Sequence, residues 1–124
     1  MAFETLTGYS EVDPNGHISV SSFRCTASNL DRLEQAYVYA NKGSGHFSGD
    51  FTHQFEIKVE DTIDRWMLNS LYCVADSYGT LDDVLAGSAI AVYAYNNAPS
   101  PPGTNHLELR LRIAEGGANL GTFI

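Results

Sequence analysis

Short segments that alternate between apolar and polar residues recur along this chain. The strictest example covers residues 107–113 (LELRLRI), where every second side chain is apolar. Successive side chains of a β-strand point to opposite faces, so an alternation of this kind is typical of a strand with one buried face. A chain built from such segments is constrained to fold mainly as β-sheet.

Segments of this kind, together with a near-continuous apolar run at 66–74 that is typical of a strand covered on both faces, predict six clear strands and two weaker ones. The clear strands cover residues 18–20, 36–39, 51–59, 66–74, 89–95 and 107–113, and the weaker ones cover 3–9 and 118–123. Turn residues separate them, as in Asp13-Pro14-Asn15-Gly16 before the first clear strand. Residues 80–86 (TLDDVLA) are the best helix candidate, with Thr80 as N-cap and acidic residues following it, but a connecting loop fits the segment equally well. The prediction is an all-β, antiparallel fold.

The segment 51–59 raises the question of a functional site, because a histidine lies in an apolar row. Phe51, His53, Phe55, Ile57 and Val59 share one side of the alternation. Four of the five are apolar, which favours the inner wall of a sandwich, with His53 at a wetter point. A transition-metal site from His46, Asp50 and His53 is the less favoured interpretation.

Length and charge limit the classes of function. The 124 residues, 44% of them hydrophobic, indicate one domain over residues 1–124. Fifteen acidic against seven basic residues give a net charge of −8. This sign disfavours nucleic acid as a partner, because phosphate binding needs clustered Lys and Arg. No apolar run is long enough to span a membrane and the N-terminus does not resemble a signal peptide, which leaves the cytosol, a virion and the cell surface open.

Two cysteines, Cys25 and Cys73, leave two alternatives open. Two buried free thiols within strands are favoured over a single disulfide, since small scaffolds held by disulfides usually contain more cysteines. No Cys-x-x-Cys occurs, so neither a zinc ribbon nor a redox motif is supported.

Three stretches resemble concanavalin A-like lectin/glucanase domains. They are YSEVDPNGHISVSS, LDRLEQAYVYANKG and HFSGDFTHQFEI. Two later stretches, WMLNSLYCVADSYGTLDD and HLELRLRIAEGG, are also similar to these domains. The resemblance covers residues 9 to about 117. It implies an antiparallel jelly-roll β-sandwich, found in lectins, glucanases and modules of phage or cell-surface proteins.

This chain departs from that family in length, because it stops soon after Gly116-Gly117. We therefore expect a sandwich without its final strands, with three alternatives open: a shortened version, a fragment, or a sandwich whose missing strand pairing a second copy supplies. Open strand edges recruit other chains, so we also expect a homo-oligomer, in which strands could be exchanged.

Hydrolytic chemistry is not favoured. Glucanases of the family that the chain resembles place carboxylates at alternating positions of one strand, which sets two acids across a glycosidic bond. The one Glu-x-Asp here, Glu11-Val12-Asp13, runs into a turn without a third acid. We lean toward a protein that is not an enzyme, with an unrecognised glycoside hydrolase as a remaining alternative.

Calcium is a further candidate ligand. Oxygen-rich loops include Asp13, Asp76 and Asp82, and Ca²⁺ prefers carboxylate and carbonyl oxygens. The sequence reproduces no full ligand set, so these three residues are weak candidates.

Carbohydrate binding is the leading prediction. Sugars need aromatic rings for their C–H faces and polar side chains for their hydroxyls. The candidate ligand-binding residues are Tyr37, Tyr39, Trp66, Asn69, Tyr93 and Tyr95. For any single tyrosine, packing in the core or across strands is the competing interpretation. The alternative function is a structural or assembly module whose partner is protein.

Overall fold

A computed structural model describes residues 4–58, 67–96 and 107–124. The described part is antiparallel and almost entirely β. Its elements are β1 (Ser10–Val12), β2 (Ile18–Val20), β3 (Cys25–Ala27), β4 (Tyr37–Tyr39), β5 (Met67–Ala75), α1 (Leu81–Leu85), β6 (Ala89–Asn96), β7 (Glu108–Glu115) and β8 (Ala118–Phe123). The all-β prediction is confirmed, while the jelly-roll sandwich stays a prediction.

The centre of the fold is a four-stranded antiparallel sheet in the order β5-β6-β7-β8. Residues of β6 alternate between its two faces. We call the inner face the one that carries Ala89, Ala91, Tyr93 and Tyr95, and the outer face the opposite one. A β-bulge in β5 between Ser70 and Tyr72 keeps Cys73 opposite Ala91 on the inner face.

The hydrophobic core lies between α1 and the inner face of this sheet. Leu81, Val84 and Leu85 of the helix pack with Ala89, Ala91, Tyr93 and Ala114 of the strands. The small alanine side chains let the helix lie close to the sheet. Within residues 4–58 no side chain is fully buried, so the packed centre is formed by the later part of the chain.

Helix α1 begins where the sequence predicts it. The Thr80 hydroxyl accepts a hydrogen bond from the Asp83 backbone N–H, and the Asp83 carboxylate accepts from the Thr80 backbone N–H at 2.8 Å. This reciprocal capping box satisfies two donors that the helix cannot pair internally. Hydrogen bonds from Thr80 also hold the pKa of Asp83 below its ordinary value.

The prediction of a strand over 51–59 is wrong for residues 51–58, the part that the structure describes. These residues form no regular secondary structure, and Phe51 and Phe55 are more than a third exposed. Alternation alone does not make a strand, because a strand also needs a neighbour for its backbone hydrogen bonds. Here the rings pack among themselves and against Tyr72 of β5.

Two smaller strand pairs precede the sheet. β1 pairs with β4, and the β2–β3 hairpin lies between them in sequence. The sequence pattern missed β1 and β3, which are three-residue strands held by pairing rather than by burial. The weaker strand predicted over 3–9 does not form within residues 4–9, the part of that segment that the structure describes.

One buried carboxylate fixes the turn before β2. Glu34 accepts hydrogen bonds from the Asn15 amide at 3.3 Å and contacts His17 Nδ1 at 2.7 Å. Only 7% of the Glu34 side chain is exposed. These contacts attach the first hairpin to the segment that leads into β4.

Candidate functional site

Three tyrosines meet beside the start of α1 and form what we call the tyrosine cluster (Tyr37, Tyr39 and Tyr78). Tyr37 and Tyr39 lie two residues apart on β4, so their rings share one face, with centroids 6.1 Å apart. The rings of Tyr39 and Tyr78 are stacked, with centroids 4.1 Å apart and planes within 5° of parallel. Tyr78 is 60% exposed, whereas Tyr37 and Tyr39 are half-buried. The cluster therefore presents an aromatic surface to solvent.

The loop between β5 and α1 holds Tyr78 in this position. Gly79 adopts a φ of +152°, and a Cβ added there would lie 2.6 Å from the Cβ of Asp83. Only glycine fits this backbone so close to the capping box. Tyr78 thus lies directly before a fixed turn, which limits the directions that its ring can take.

Polar groups lie next to the aromatic surface. Burial raises the pKa of Tyr37, and the negative charge of Asp83 raises it further. The Tyr37 hydroxyl thus stays protonated at neutral pH, where it can donate a hydrogen bond. Asp82 and Asp83 are exposed in the first turn of α1. The cluster combines flat rings with hydrogen-bonding groups, which is the combination that a sugar requires.

A sugar does not fit inside the cleft next to the tyrosine cluster. The cleft is lined by Leu33, Tyr37, Leu68 and Thr80, among others, and has a volume of about 20 Å³. Such a space holds about one water molecule. Binding at the tyrosine cluster therefore has to take place on its exposed surface.

Asn69, a predicted ligand-binding residue, is occupied by the fold. Its side-chain amide donates to the Asp31 carbonyl at 3.0 Å, and its Oδ1 accepts from the Leu68 backbone N–H at 3.1 Å. The residue is 8% exposed. Asn69 ties the segment before β4 to the edge of β5, so its polar groups are not available to a ligand.

The two predicted tyrosines of β6 also serve the interior. Tyr93 is 5% exposed and belongs to the core cluster, and Tyr95 packs against that cluster. The guanidinium carbon of Arg110 lies 3.7 Å from the centroid of the Tyr95 ring, and Arg110 Nε donates to Glu108 at 2.7 Å. One face of Tyr95 is thus taken by a paired arginine, and Tyr93 has no face open to solvent. Trp66 lies outside the described residues.

The three aspartates predicted for calcium are not brought together. In the described residues, no group of three or more His, Cys, Asp or Glu side chains is placed to hold a metal ion. Asp13 instead accepts backbone hydrogen bonds from Ile18 at 2.8 Å and from His17 at 2.9 Å, which hold its pKa below the ordinary value, the bond from Ile18 most strongly. Its carboxylate closes the turn before β2. Asp76 and Asp82 are exposed.

A second aromatic group lies beside Tyr72 on the outer face of the sheet. Phe55 stacks on Tyr72 at 4.6 Å, and the Tyr72 hydroxyl forms a hydrogen bond with His53 Nδ1. Burial raises the pKa of Tyr72 to about 12. Phe51 and Phe55 carry no hydroxyl, so this group suits an apolar contact better than a sugar.

The sequence prediction missed Tyr78. It lies in a loop, Asp76-Ser77-Tyr78-Gly79-Thr80, and not in an alternating strand. A large aromatic residue among small and acidic loop residues is itself a signal of a binding surface. Its partner Tyr39 is 39 positions away in sequence, so no local pattern reveals the stack.

Comparisons with protein-family models, curated proteins and solved structures find no match to this chain. The concanavalin A-like resemblance therefore stays a prediction. Cys25 and Cys73 are free thiols in the structure, and the expectation that both are buried is wrong for Cys25, which is exposed. No helix among the described residues has the length and apolar character needed to cross a membrane.

Proposed function

We propose that the protein is a non-catalytic carbohydrate-binding module whose binding surface is the tyrosine cluster. The observation that carries this proposal is the ring of Tyr78, which is 60% exposed and stacked at 4.1 Å on Tyr39. A stacked ring is held in one orientation before the ligand arrives. Less conformational entropy is then lost on binding.

The chemistry around the ring supports a sugar as the ligand. The C–H face of a pyranose packs on a flat aromatic ring, and its hydroxyls need donors and acceptors at the rim. The Asp83 carboxylate lies near enough to the Tyr37 hydroxyl for its negative charge to raise the pKa of that tyrosine, after burial. An ionised carboxylate is a strong acceptor for sugar hydroxyls.

The position and hydrogen bonds of the single Glu-x-Asp pair favour a binding role over hydrolysis. Glu11 lies on β1, while both carboxylate oxygens of Asp13 accept backbone N–H groups. A carboxylate that closes a turn is poorly suited to attack or protonate a glycosidic bond.

The test replaces the exposed ring. We expect Tyr78→Ala to weaken binding of a glycan selected on an array by about tenfold, the order of an aromatic contact. Tyr78→Phe keeps the stack and should retain most of the affinity. Phe23→Ala removes another exposed ring, which is 67% accessible and far from Tyr78 in the sequence. This variant should leave the affinity unchanged. Equal affinities for wild type and Tyr78→Ala would refute the proposed surface.

The outer face of the sheet favours a second candidate function, that of an assembly module. Ile90, Leu109 and Phe123 lie on the outer face by their register and are 38%, 46% and 57% exposed. In the described part of the chain, β8 pairs with β7 alone, and it contains no charged residue or proline that would discourage a further strand. The partner that fits is a second copy, since two antiparallel β8 strands would pair with twofold symmetry.

Sedimentation velocity over a range of concentrations tests this candidate. If the copies associate, Phe123→Lys should shift the distribution toward the monomer, because a lysine on an open edge strand discourages pairing with a further strand. Identical monomeric profiles for both proteins would dismiss it.

A further inference from the structure

The stacked pair in the tyrosine cluster has a chemical property that carbohydrate binding does not use. The rings of Tyr39 and Tyr78 lie with centroids 4.1 Å apart and planes within 5° of parallel. Carbon atoms that face each other at such a spacing are close to van der Waals contact. Two phenol rings held in this way are already placed to react with each other.

The backbone fixes the position of both residues. Tyr39 lies on β4, where it is paired with Ser10 of β1. Tyr78 directly precedes Gly79, whose backbone lies against the Asp83 side chain of the capping box. A reaction between two groups held in contact is strongly favoured over the same reaction between separate molecules. The geometry therefore favours coupling of the two rings within one chain.

No second tyrosine pair is placed as well for this reaction. All seven tyrosines of the chain lie in the described residues. The other pair in ring contact, Tyr37 and Tyr39, has centroids 6.1 Å apart and planes inclined by 49°. Tyr78 is 60% exposed, so an oxidant in solution can reach one member of the stacked pair directly.

We propose that Tyr39 and Tyr78 form a dityrosine cross-link when the protein meets a one-electron oxidant, such as a peroxidase with hydrogen peroxide. Each phenol loses an electron to the oxidant and its hydroxyl proton to water, which leaves two tyrosyl radicals. A carbon–carbon bond then forms between one carbon ortho to the oxygen on each ring. The hydrogen on each of these carbons leaves as a proton, and each oxygen takes up a proton from water, which restores both hydroxyls. In total the protein loses two hydrogen atoms, and one hydrogen peroxide becomes two water molecules.

The cross-link joins two parts of the chain that differ in packing. Within residues 4–58 no side chain is fully buried, whereas the core lies in the later part of the chain. Cys25 and Cys73 are free thiols, so no disulfide joins the two parts. A bond between residues 39 positions apart restricts the unfolded chain as a disulfide does. The stacked pair thus stabilises the protein under oxidising conditions, whether or not a glycan is bound.

The experiment treats the purified protein with a peroxidase and hydrogen peroxide and then measures intact mass and maps the peptides. We expect a single chain lighter by two hydrogen atoms, dityrosine fluorescence, and one linked peptide pair that contains Tyr39 and Tyr78. Tyr78→Phe keeps the stacked ring but has no phenolic hydroxyl to oxidise, so the link should be lost. Tyr37→Phe is the matched control from the same cluster and should keep the link.

Urea denaturation measures the effect of the link on stability. Treated wild type should unfold at a higher urea concentration than untreated wild type. Treated Tyr78→Phe should show no such rise, which separates the cross-link from oxidation of methionine or cysteine side chains. An unchanged urea midpoint in fully cross-linked wild type would overturn the stabilising role.

Three other results would overturn the site itself. One is a dityrosine link between separate chains, or between Tyr37 and Tyr39, in place of the link between Tyr39 and Tyr78. Another is a link that persists in Tyr78→Phe. The third is a wild-type protein without any linked peptide while the same peroxidase couples free tyrosine in a parallel sample.

Discussion

Asn69 provides a prediction that separates a structural from a ligand-binding role. Its amide pairs two backbone groups, the Leu68 N–H at 3.1 Å and the Asp31 carbonyl at 3.0 Å, and the residue is 8% exposed. Asn69→Ala leaves both of these backbone groups without a side-chain partner. If the residue were there for a ligand, the same change would leave the free energy of unfolding almost unaltered.

The expected loss follows from the two hydrogen bonds. A buried backbone group left without a partner costs about 1–3 kcal/mol, and water can reach this edge strand in part. We therefore expect Asn69→Ala to lower the free energy of unfolding by about 2–3 kcal/mol, out of a total of about 5–15 kcal/mol for a domain. Asn69→Asp keeps the acceptor for Leu68 but sets a buried carboxylate oxygen against the Asp31 carbonyl, so its loss should be at least as large.

Urea denaturation followed by far-UV circular dichroism measures the change. Asn41→Ala is the matched control, because the Asn41 side chain also accepts a backbone N–H, from Gly43 at 2.8 Å, but is exposed. It should cost less than about 1 kcal/mol. A loss for Asn69→Ala no larger than that of the control would refute the structural assignment.

Three further predictions concern α1, its loop and the thiols. Thr80→Ala should lower the free energy of unfolding by about 1 kcal/mol in urea titrations, since the N-cap is lost. The pKa of Asp83 is lowered on folding, so the contribution of the cap to stability is present above pH 3.8, the ordinary pKa of the carboxyl, and is lost as the pH falls below it. The difference in unfolding free energy between wild type and Thr80→Ala should therefore shrink at pH 2. A difference that stays constant with pH would contradict this. Gly79→Ala should cost more than Thr80→Ala and also reduce glycan binding, because the turn that positions Tyr78 is displaced; a variant with unaltered binding would contradict the loop's role. Cys25 should react with a disulfide reagent well before Cys73, since Cys25 is exposed while burial raises the pKa of Cys73 to about 11; equal rates would count against the packing of β5.

The later part of the chain could be predicted from sequence for clear physical reasons. Residues 107–113 and 89–95 match β7 and β6 closely. The alternation in 107–113 reflects the two faces of β7, because Leu109 and Leu111 lie on the outer face while Arg110 and Arg112 lie on the inner face. Thr80 predicted the helix start because an N-cap is a local interaction. Pattern and structure agree where burial and local hydrogen bonds decide the conformation.

The remaining features depend on contacts between distant residues. Residues 51–58 alternate as well as any true strand, but the described structure gives them no strand partner. Asn69 looked like a ligand residue because its bond to Asp31, 38 positions away, is invisible in sequence. The stack of Tyr39 on Tyr78 depends on the same kind of distant contact. Of the five predicted ligand residues that the structure describes, Tyr37 and Tyr39 contribute to the proposed surface.

A glycan array probed with the wild-type protein, in calcium and again with chelator, tests the central claim most directly. The tyrosine cluster needs no metal, so we expect the same glycans to bind with equal strength in both conditions. Binding lost with chelator would contradict the account in favour of a calcium-dependent site. An array without any bound glycan would contradict the carbohydrate proposal itself and leave the exposed residues of the outer face, Ile90, Leu109 and Phe123, as the surface to explain.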